Sequence, residues 1–423
     1  MDIKIVPNNL TGKITTPPSK SILHRALIMS ALLKKSHTVL TGVDTISDDI
    51  MSTIRCLTAI GTKITIEKDS IHIYPINKIP KDKLQVNCGE SGTTLRLMLP
   101  ILYKYADEIK VGCQNNLKNR PVLELINALE ESGLSFKTKT FPLIFSGDIK
   151  TDSFKIKGDV TSQYISGLML LASSLEENIT INLTTPIESR QYVDLTIKML
   201  NEFGVTIKEK RNKFVVLKRK NLSSNFEEYP IEGDWSNAAF FIAAGCLGQR
   251  IRVIQLKNDS LQGDKEVLQL LMKAGANISV NDKDYLAESS KLKAFNYDFT
   301  DNPDLFPVMS IVAAFAKGTS KLTGGRRLRF KESDRINSTF QMLKNLGANV
   351  DRTENGLTIE GKEMLEGGKV HSFCDHRIVM AAAIASIRCK KPVSIIKAES
   401  VSKSYPNFFE EFERIGGKVS VIG

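Results

Sequence analysis

Cys56-Leu57-Thr58-Ala59-Ile60-Gly61-Thr62-Lys63-Ile64 reads as the apolar end of a helix, a glycine, and the start of an alternating strand. The same order returns at Ala128-Leu129-Glu130-Glu131-Ser132-Gly133-Leu134, Met199-Leu200-Asn201-Glu202-Phe203-Gly204-Val205 and Leu271-Met272-Lys273-Ala274-Gly275-Ala276. It closes with Met342-Leu343-Lys344-Asn345-Leu346-Gly347-Ala348 and Phe412-Glu413-Arg414-Ile415-Gly416-Gly417-Lys418-Val419. The glycines fall 72, 71, 71, 72 and 69 residues apart. Each suits the left-handed position that ends a helix, and five near-equal spacings mark six copies of one unit. Further helical patterns with small-residue faces lie at 94–105, 162–174, 236–246, 303–316 and 375–388, and Ile71-His72-Ile73-Tyr74 and Lys213-Phe214-Val215-Val216-Leu217 alternate as strands do. The expected fold is mixed α/β. Modules of this length pack more readily as two compact three-unit domains than as a solenoid. A polar divide at 221–230 separates the third and fourth units.

Several helix starts carry more charge than capping needs. Pro17-Pro18-Ser19-Lys20-Ser21-Ile22-Leu23-His24-Arg25 is a stiff approach, a capping serine, and then Lys20, Ser21 and Arg25 in the first turns. A helix start already offers N–H groups and positive potential to an anion. Asn87-Cys88-Gly89-Glu90-Ser91-Gly92-Thr93-Thr94-Leu95-Arg96 is a glycine- and hydroxyl-rich loop before a helix, without the pattern of a P-loop. Asn119-Arg120-Pro121, Thr161-Ser162-Gln163 and Ser189-Arg190-Gln191-Tyr192 repeat the theme. Each alone is most simply an N-cap.

In the second half, residues 326–335 hold five cations and two carboxylates, with Lys331, Glu332 and Arg335 at the start of a helix over 333–346. Asp304 heads an apolar helix, as a stabilising first-turn acid or as a buried base. Asp375-His376-Arg377 and Lys403-Ser404-Tyr405-Pro406 open two more. Lys20, Arg25, Arg96, Arg120, Lys331, Arg335, Arg377 and Lys403 thus share one kind of position. The counter-charge expected for them is a phosphate- and carboxylate-bearing substrate pair, with Asp304 and Glu332 as the only acids among them, both ionised.

The chain has 423 residues, 58 Lys+Arg against 47 Asp+Glu, and a net charge of +11. That excess suits a nucleic acid or a multiply charged small anion equally. The longest apolar runs are about half a membrane span, and the first residues lack a signal-peptide core. Six cysteines form no CxxC and no zinc spacing. These features together predict a cytoplasmic chain with reduced thiols, no metal and no membrane contact.

Taken in order, Ser19-Lys20-Ser21…Arg25, Gly92-Thr93-Thr94…Arg96, Asn119-Arg120-Pro121, Ser162-Gln163, Lys331-Glu332-Ser333-Asp334-Arg335, Asp375-His376-Arg377 and Lys403…Pro406 resemble the motifs of the 5-enolpyruvylshikimate-3-phosphate synthases, members of the enolpyruvyl transferases. The resemblance covers the chain. It implies six βαβαββ-type repeats in two similar domains around an interdomain cleft, one of residues 14–228 and one of 1–13 plus 229–423 completed by the first strand. It implies that phosphoenolpyruvate gives its enolpyruvyl group to the 5-hydroxyl of shikimate 3-phosphate through a tetrahedral intermediate, in chorismate biosynthesis, without metal or cofactor, in a monomer.

Carried over by residue, Asp304 would be the base at the 5-hydroxyl, Glu332 the proton-transfer acid, and Lys20 would lie between both ligands. Lys20, Ser21, Arg25, Thr161, Ser162, Gln163, Ser189, Asp304 and Lys331 would hold shikimate 3-phosphate. Lys20, Gly92, Arg120, Gln163, Arg335, Arg377 and Lys403 would hold phosphoenolpyruvate. Gly92 leaves room where the family's inhibitor glyphosate binds, so sensitivity is expected. Pro18, Glu90 and Thr161 depart from the commonest pattern, and either Arg190 or Tyr192 would stack on the substrate ring.

Two rivals remain. The sibling transferase acting on UDP-N-acetylglucosamine carries a mobile-loop cysteine and lacks the Lys-Ser…Arg cluster. A nucleic-acid-binding or RNA-end-processing protein would use the basic stretch 208–220, but its alternating apolar core reads as a hairpin edge and no aromatic-rich binding motif accompanies it.

Overall fold

The computed structural model describes residues 1–34, 36–76, 82–219 and 226–423. Residues 221–225 of the divide, and residue 220, the last lysine of the basic stretch, lie outside the described residues. Among those described, six four-stranded sheets share one pairing scheme. Ser153–Ile156 runs parallel to Ile179–Leu183, which pairs antiparallel with Lys213–Val216, itself antiparallel to Ile207–Lys210. The other five sheets repeat one parallel and two antiparallel neighbours. The six spaced glycines all adopt positive φ, from 81° at Gly204 to 119° at Gly133. The period read from the sequence is therefore the structural repeat.

The chain divides into two compact units: a continuous one, Pro18–Ile231, and a split one, Met1–Pro17 with Glu232–Gly423. The crossings lie later than residues 13 and 229, for hydrogen-bonding reasons. Thr11–Thr15 pairs in parallel with Arg250–Ile254 of the split unit, and Glu228–Pro230 pairs with Thr38–Thr41 of the continuous one. Ile3–Val6 lies between Val393–Ile396 and Lys418–Val421, completing the sixth sheet with the first strand.

Each unit is built on three helices buried almost all round, a pattern of helices surrounded by protein. Lys20–Leu33, Gly92–Met98 and Ser162–Ser173 pack together in the continuous unit; Trp235–Leu247, Phe306–Phe315 and His376–Ala385 do so in the split unit. Small residues permit the close approach: a Cβ at Gly167 would collide with the Arg96 carbonyl. The glycine-ended helices are amphipathic, as Arg190–Glu202 and Arg335–Asn345 illustrate, and cover these cores.

Several sequence-based bounds shorten. The helix expected over 94–105 stops at Met98, and a 3-10 turn, Leu102–Tyr105, follows, because Pro100 has no N–H to continue the ladder. The helix expected from 303 begins at Phe306, which leaves Asp304 in the loop before Leu305, its N-cap. The one expected over 333–346 runs Arg335–Asn345, with Asp334 accepting the Asn337 N–H as its cap. Among the described residues no helix is long and apolar enough to cross a membrane.

Candidate functional site

In the continuous unit the starts of the three buried helices are joined by side chains. Arg25, on the second turn of Lys20–Leu33, is 2% exposed. Its guanidinium donates to Thr196 Oγ1 (2.7 Å), the Ser21 carbonyl (2.7 Å), Ser166 Oγ (3.2 Å) and the Tyr192 carbonyl (3.3 Å). All are neutral acceptors, and among the described residues no carboxylate pairs with it. Burial pushes Arg25 down to about 10, still protonated at neutral pH. A buried cation held only by neutral dipoles is a site prepared for an anion.

Lys20 Nζ instead sits 2.6 Å from Asp49 Oδ2, in the first turn of Asp48–Ala59. Arg96 reaches Gln163 Oε1 at 2.8 Å, and Gln163 Nε2 donates to Thr93 Oγ1 at 2.8 Å, which ties the glycine-rich loop to the Ser162 helix. Thr161 caps that helix on the Gln163 N–H, and Ser162 is 3% exposed at its first position. A Cβ at Gly92 would lie 2.8 Å from Arg120 Nη1 and 3.2 Å from Arg96 Nη1, so the missing side chain lets two guanidiniums approach the loop backbone. Ser189, buried, stands at the N-cap position of Arg190–Glu202 in a left-handed conformation at φ 52°.

A buried chain runs from His24 Nδ1 to Thr53 Oγ1 (2.7 Å), on to Thr94 Oγ1 (2.7 Å) and to Ser91 Oγ (2.8 Å), the cap of Gly92–Met98. Burial, with Lys20 and Arg25 beside it, holds the His24 imidazole well below its ordinary range, so it stays neutral. Glu90 accepts a hydrogen bond from Asn115 Nδ2. Arg190 forks onto Glu209 at 2.8 and 2.6 Å and bonds Asp194 at 2.7 Å.

The split unit holds the acidic chemistry. Arg335 has no exposed surface and donates to Asp375 Oδ2 (3.0 Å), Glu332 Oε2 (2.7 Å), Asp304 Oδ1 and the Pro303 carbonyl (3.2 Å). Lys331 Nζ lies 3.4 Å from Asp304 Oδ1, and Arg377 Nη2 lies 3.2 Å from Asp304 Oδ2. Burial alone would raise the Asp304 carboxyl; Arg377, Lys331 and Arg335 outweigh it and hold the group well below the usual carboxylate range. Burial pushes Lys331 down to about 8, against the pull of Asp304. Asp375, fully buried, caps His376–Ala385 on the Arg377 N–H (3.0 Å) and accepts Ser333 Oγ at 3.0 Å. Lys403 Nζ donates to the Cys374 carbonyl at 2.9 Å, next to that cap.

The structure therefore brings Asp304, Lys331, Glu332, Arg335 and Arg377 into one cluster, with Lys403 beside its edge. It places Lys20, Ser21, Arg25, Thr161, Ser162, Gln163, Gly92 and Arg120 around three helix starts of the other unit, with Ser189 at the start of a fourth, Arg190–Glu202. One expectation is corrected: Glu332 and Asp304 are not the only acids among these cations. Asp49 answers Lys20, Asp375 answers Arg335, and Asp264, 1% exposed beside Ser236, lies at the same helix starts. Asp49 and Asp375 were visible in the sequence as first-turn and cap acids; nothing local distinguished Asp264. Thr53, Ser166 and Thr196 gave no signal, because their partners are distant along the chain.

The sequence matches the family model for EPSP synthase (3-phosphoshikimate 1-carboxyvinyltransferase) over residues 5–412. It is 39% identical to the 3-phosphoshikimate 1-carboxyvinyltransferase of Clostridium novyi (strain NT), with 98% of each chain covered. It is 37% identical to that of Clostridioides difficile (strain 630), with 99% of this chain and 98% of the relative covered. The solved EPSP synthase of Acinetobacter baumannii superposes with a TM-score of 0.80 at 26% identity, over 99% of this chain and all of that one. A match spanning all six repeats and every charged helix start leaves no part of the fold to another lineage: the chain belongs to the EPSP synthase family.

Proposed function

We infer that this chain transfers the enolpyruvyl group of phosphoenolpyruvate to the 5-hydroxyl of shikimate 3-phosphate and releases phosphate. In the addition step the 5-oxygen bonds to C2 and a proton is added at C3. In the elimination step the C2–O bond to phosphate breaks and C3 gives a proton back. Two carboxylates held by one buried arginine, Asp304 and Glu332 on Arg335, are the observation that carries this reading. The reaction needs one group to accept the hydroxyl proton and another to exchange a proton with carbon.

Asp304 is the proposed base and Glu332 the proposed proton-transfer acid. Neither suits its task while paired as described, since the surrounding cations favour the ionised form and weaken Asp304 as a base. Substrate anions arriving on Lys331, Arg335, Arg377 and Lys403 compete for those cations and raise both carboxyls. Arg25, Ser21, Thr161, Ser162, Gln163 and Ser189 are proposed for shikimate 3-phosphate, and Gly92, Arg120 and Gln163 for phosphoenolpyruvate; Lys20 serves both. With Arg190 committed to Glu209 and Asp194, Tyr192 is the better candidate to stack on the substrate ring. The close approach at Gly92 supports glyphosate as an inhibitor competing with phosphoenolpyruvate.

Phosphate release in the presence of both substrates tests the reading. Release with UDP-N-acetylglucosamine in place of shikimate 3-phosphate would overturn it in favour of the sibling activity. Arg25→Ala is expected to weaken shikimate 3-phosphate about 10- to 100-fold, the worth of one or two hydrogen bonds to a charged group. Calorimetry reads this directly, and an unchanged dissociation constant removes Arg25 from the role.

A further inference from the structure

Asp264 lies in the 3-10 turn Gly263–Glu266 of the split unit, with 1% of its surface exposed. Oδ2 accepts the Ser236 hydroxyl; Oδ1 is buried and has no hydrogen-bond partner among the described residues. A buried carboxylate oxygen without a donor is costly while ionised. A protonated carboxyl can instead donate from that oxygen.

Ser236 links this carboxyl to the anion cluster. Its carbonyl lies 3.5 Å from Arg377 Nη1, at the outer limit of a hydrogen bond. Arg377 is 4% exposed, its other arm reaches Asp304 Oδ2, and its Nε is buried without a hydrogen-bond partner among the described residues. Three cations, Lys331, Arg335 and Arg377, here serve four carboxylates, Asp264, Asp304, Glu332 and Asp375. With all seven ionised the group carries one excess negative charge before any substrate anion enters.

Charged and titratable groups face Asp264 from each packed element. Asp234 caps Trp235–Leu247, Asp304 precedes Phe306–Phe315, Arg377 lies on His376–Ala385, and Tyr297 lies on the strand Asn296–Asp298. Arg377 is the only cation among them. Burial above all, and then the Asp304 charge, pushes the Asp264 carboxyl up to about 6. An anion on Arg377 cancels the one charge that favours the ionised form.

We propose that Asp264 is a positioning residue that takes up a proton as an anionic substrate group, carboxylate or phosphate, settles on Arg377. Binding is thereby coupled to neutralisation of a carboxyl in the buried cluster. This rests on the reading of Arg377 as a phosphoenolpyruvate ligand. The direction follows from linkage. A group whose pKa is higher in the complex than in the free enzyme favours binding fully below its free value, near 6, and the gain is lost as pH rises through the bound value.

The test is the KM for phosphoenolpyruvate from pH 6 to 8 at saturating shikimate 3-phosphate, for the wild type and Asp264→Asn. The substrate's own phosphate titrates alike for both proteins, so the ratio of the two profiles isolates Asp264. The wild-type KM is expected to rise about tenfold more than that of the variant across this range. Ser236→Ala keeps the carboxylate but removes a donor that favours its charge, so the wild-type profile is expected to move to higher pH. Parallel profiles for wild type and Asp264→Asn, or an unmoved midpoint in Ser236→Ala if the asparagine variant does not fold, overturn the proposal. No phosphate release by the wild type with both substrates would instead overturn the functional reading beneath it.

Discussion

Arg335→Ala is expected to lower the stability of the split unit by about 3–5 kcal/mol, the cost of breaking a buried ion pair from one side. The guanidinium is fully buried and is the shared donor to Asp304, Glu332 and Asp375. Removing it leaves a fully buried Asp375 with Ser333 and a backbone N–H as its remaining partners. Arg335→Lys restores the charge but not the planar fork that meets three acceptors, so it should recover only part of the loss. Trp235 makes the measurement specific. It is the only tryptophan of the chain and is buried in the split unit. Its fluorescence therefore follows that unit through urea unfolding. An unmoved midpoint would remove Arg335 as the electrostatic centre.

The pH dependence of that stability has a definite sign. Asp304 is depressed in the folded chain by Arg377, Lys331 and Arg335 despite its burial. Its contribution is present above the unfolded carboxyl pKa, about 4, and is lost as pH falls toward the folded value. Arg335→Ala, with less depression to lose, should show a shallower decline on acidification.

Glu332→Gln is expected to reduce turnover by about 10²- to 10⁴-fold while both substrates still bind. The amide oxygen can keep the 2.7 Å contact with Arg335 Nη2, so the cluster holds its shape. What it loses is a proton to exchange with carbon. Single-turnover phosphate release reads the loss, and turnover near the wild-type level would assign the transfer to another group.

The fold was legible because its signal is periodic. Six glycines at near-constant spacing announce six helix ends, and each proves to have positive φ. The cations of the candidate site were legible because each stands beside a proline, a glycine, a hydroxyl cluster or, for Arg377, a capping aspartate that marks a helix start. Their counterions were not. Asp49 pairs with a lysine 29 residues away, and Asp375 with an arginine 40 residues away. Such pairings depend on which helix starts meet, and local pattern carries no information about that. Asp264, in a short 3-10 turn without periodicity, left no trace until Ser236 was placed beside it.

The strand Ile3–Val6 has a consequence for the order of assembly. It is made well before both its neighbours, Val393–Ile396 and Lys418–Val421, since 392 residues separate Ile3 from its partner Ile395. Asp2 and Gly423 even share a backbone hydrogen bond of 2.7 Å. The continuous unit has all its sheet partners once Pro230 has been made. Ile3–Val6 must wait without its sheet partners while the residues between are made. Nascent-chain quality control therefore meets a strand that stays without its sheet partners long after it is made.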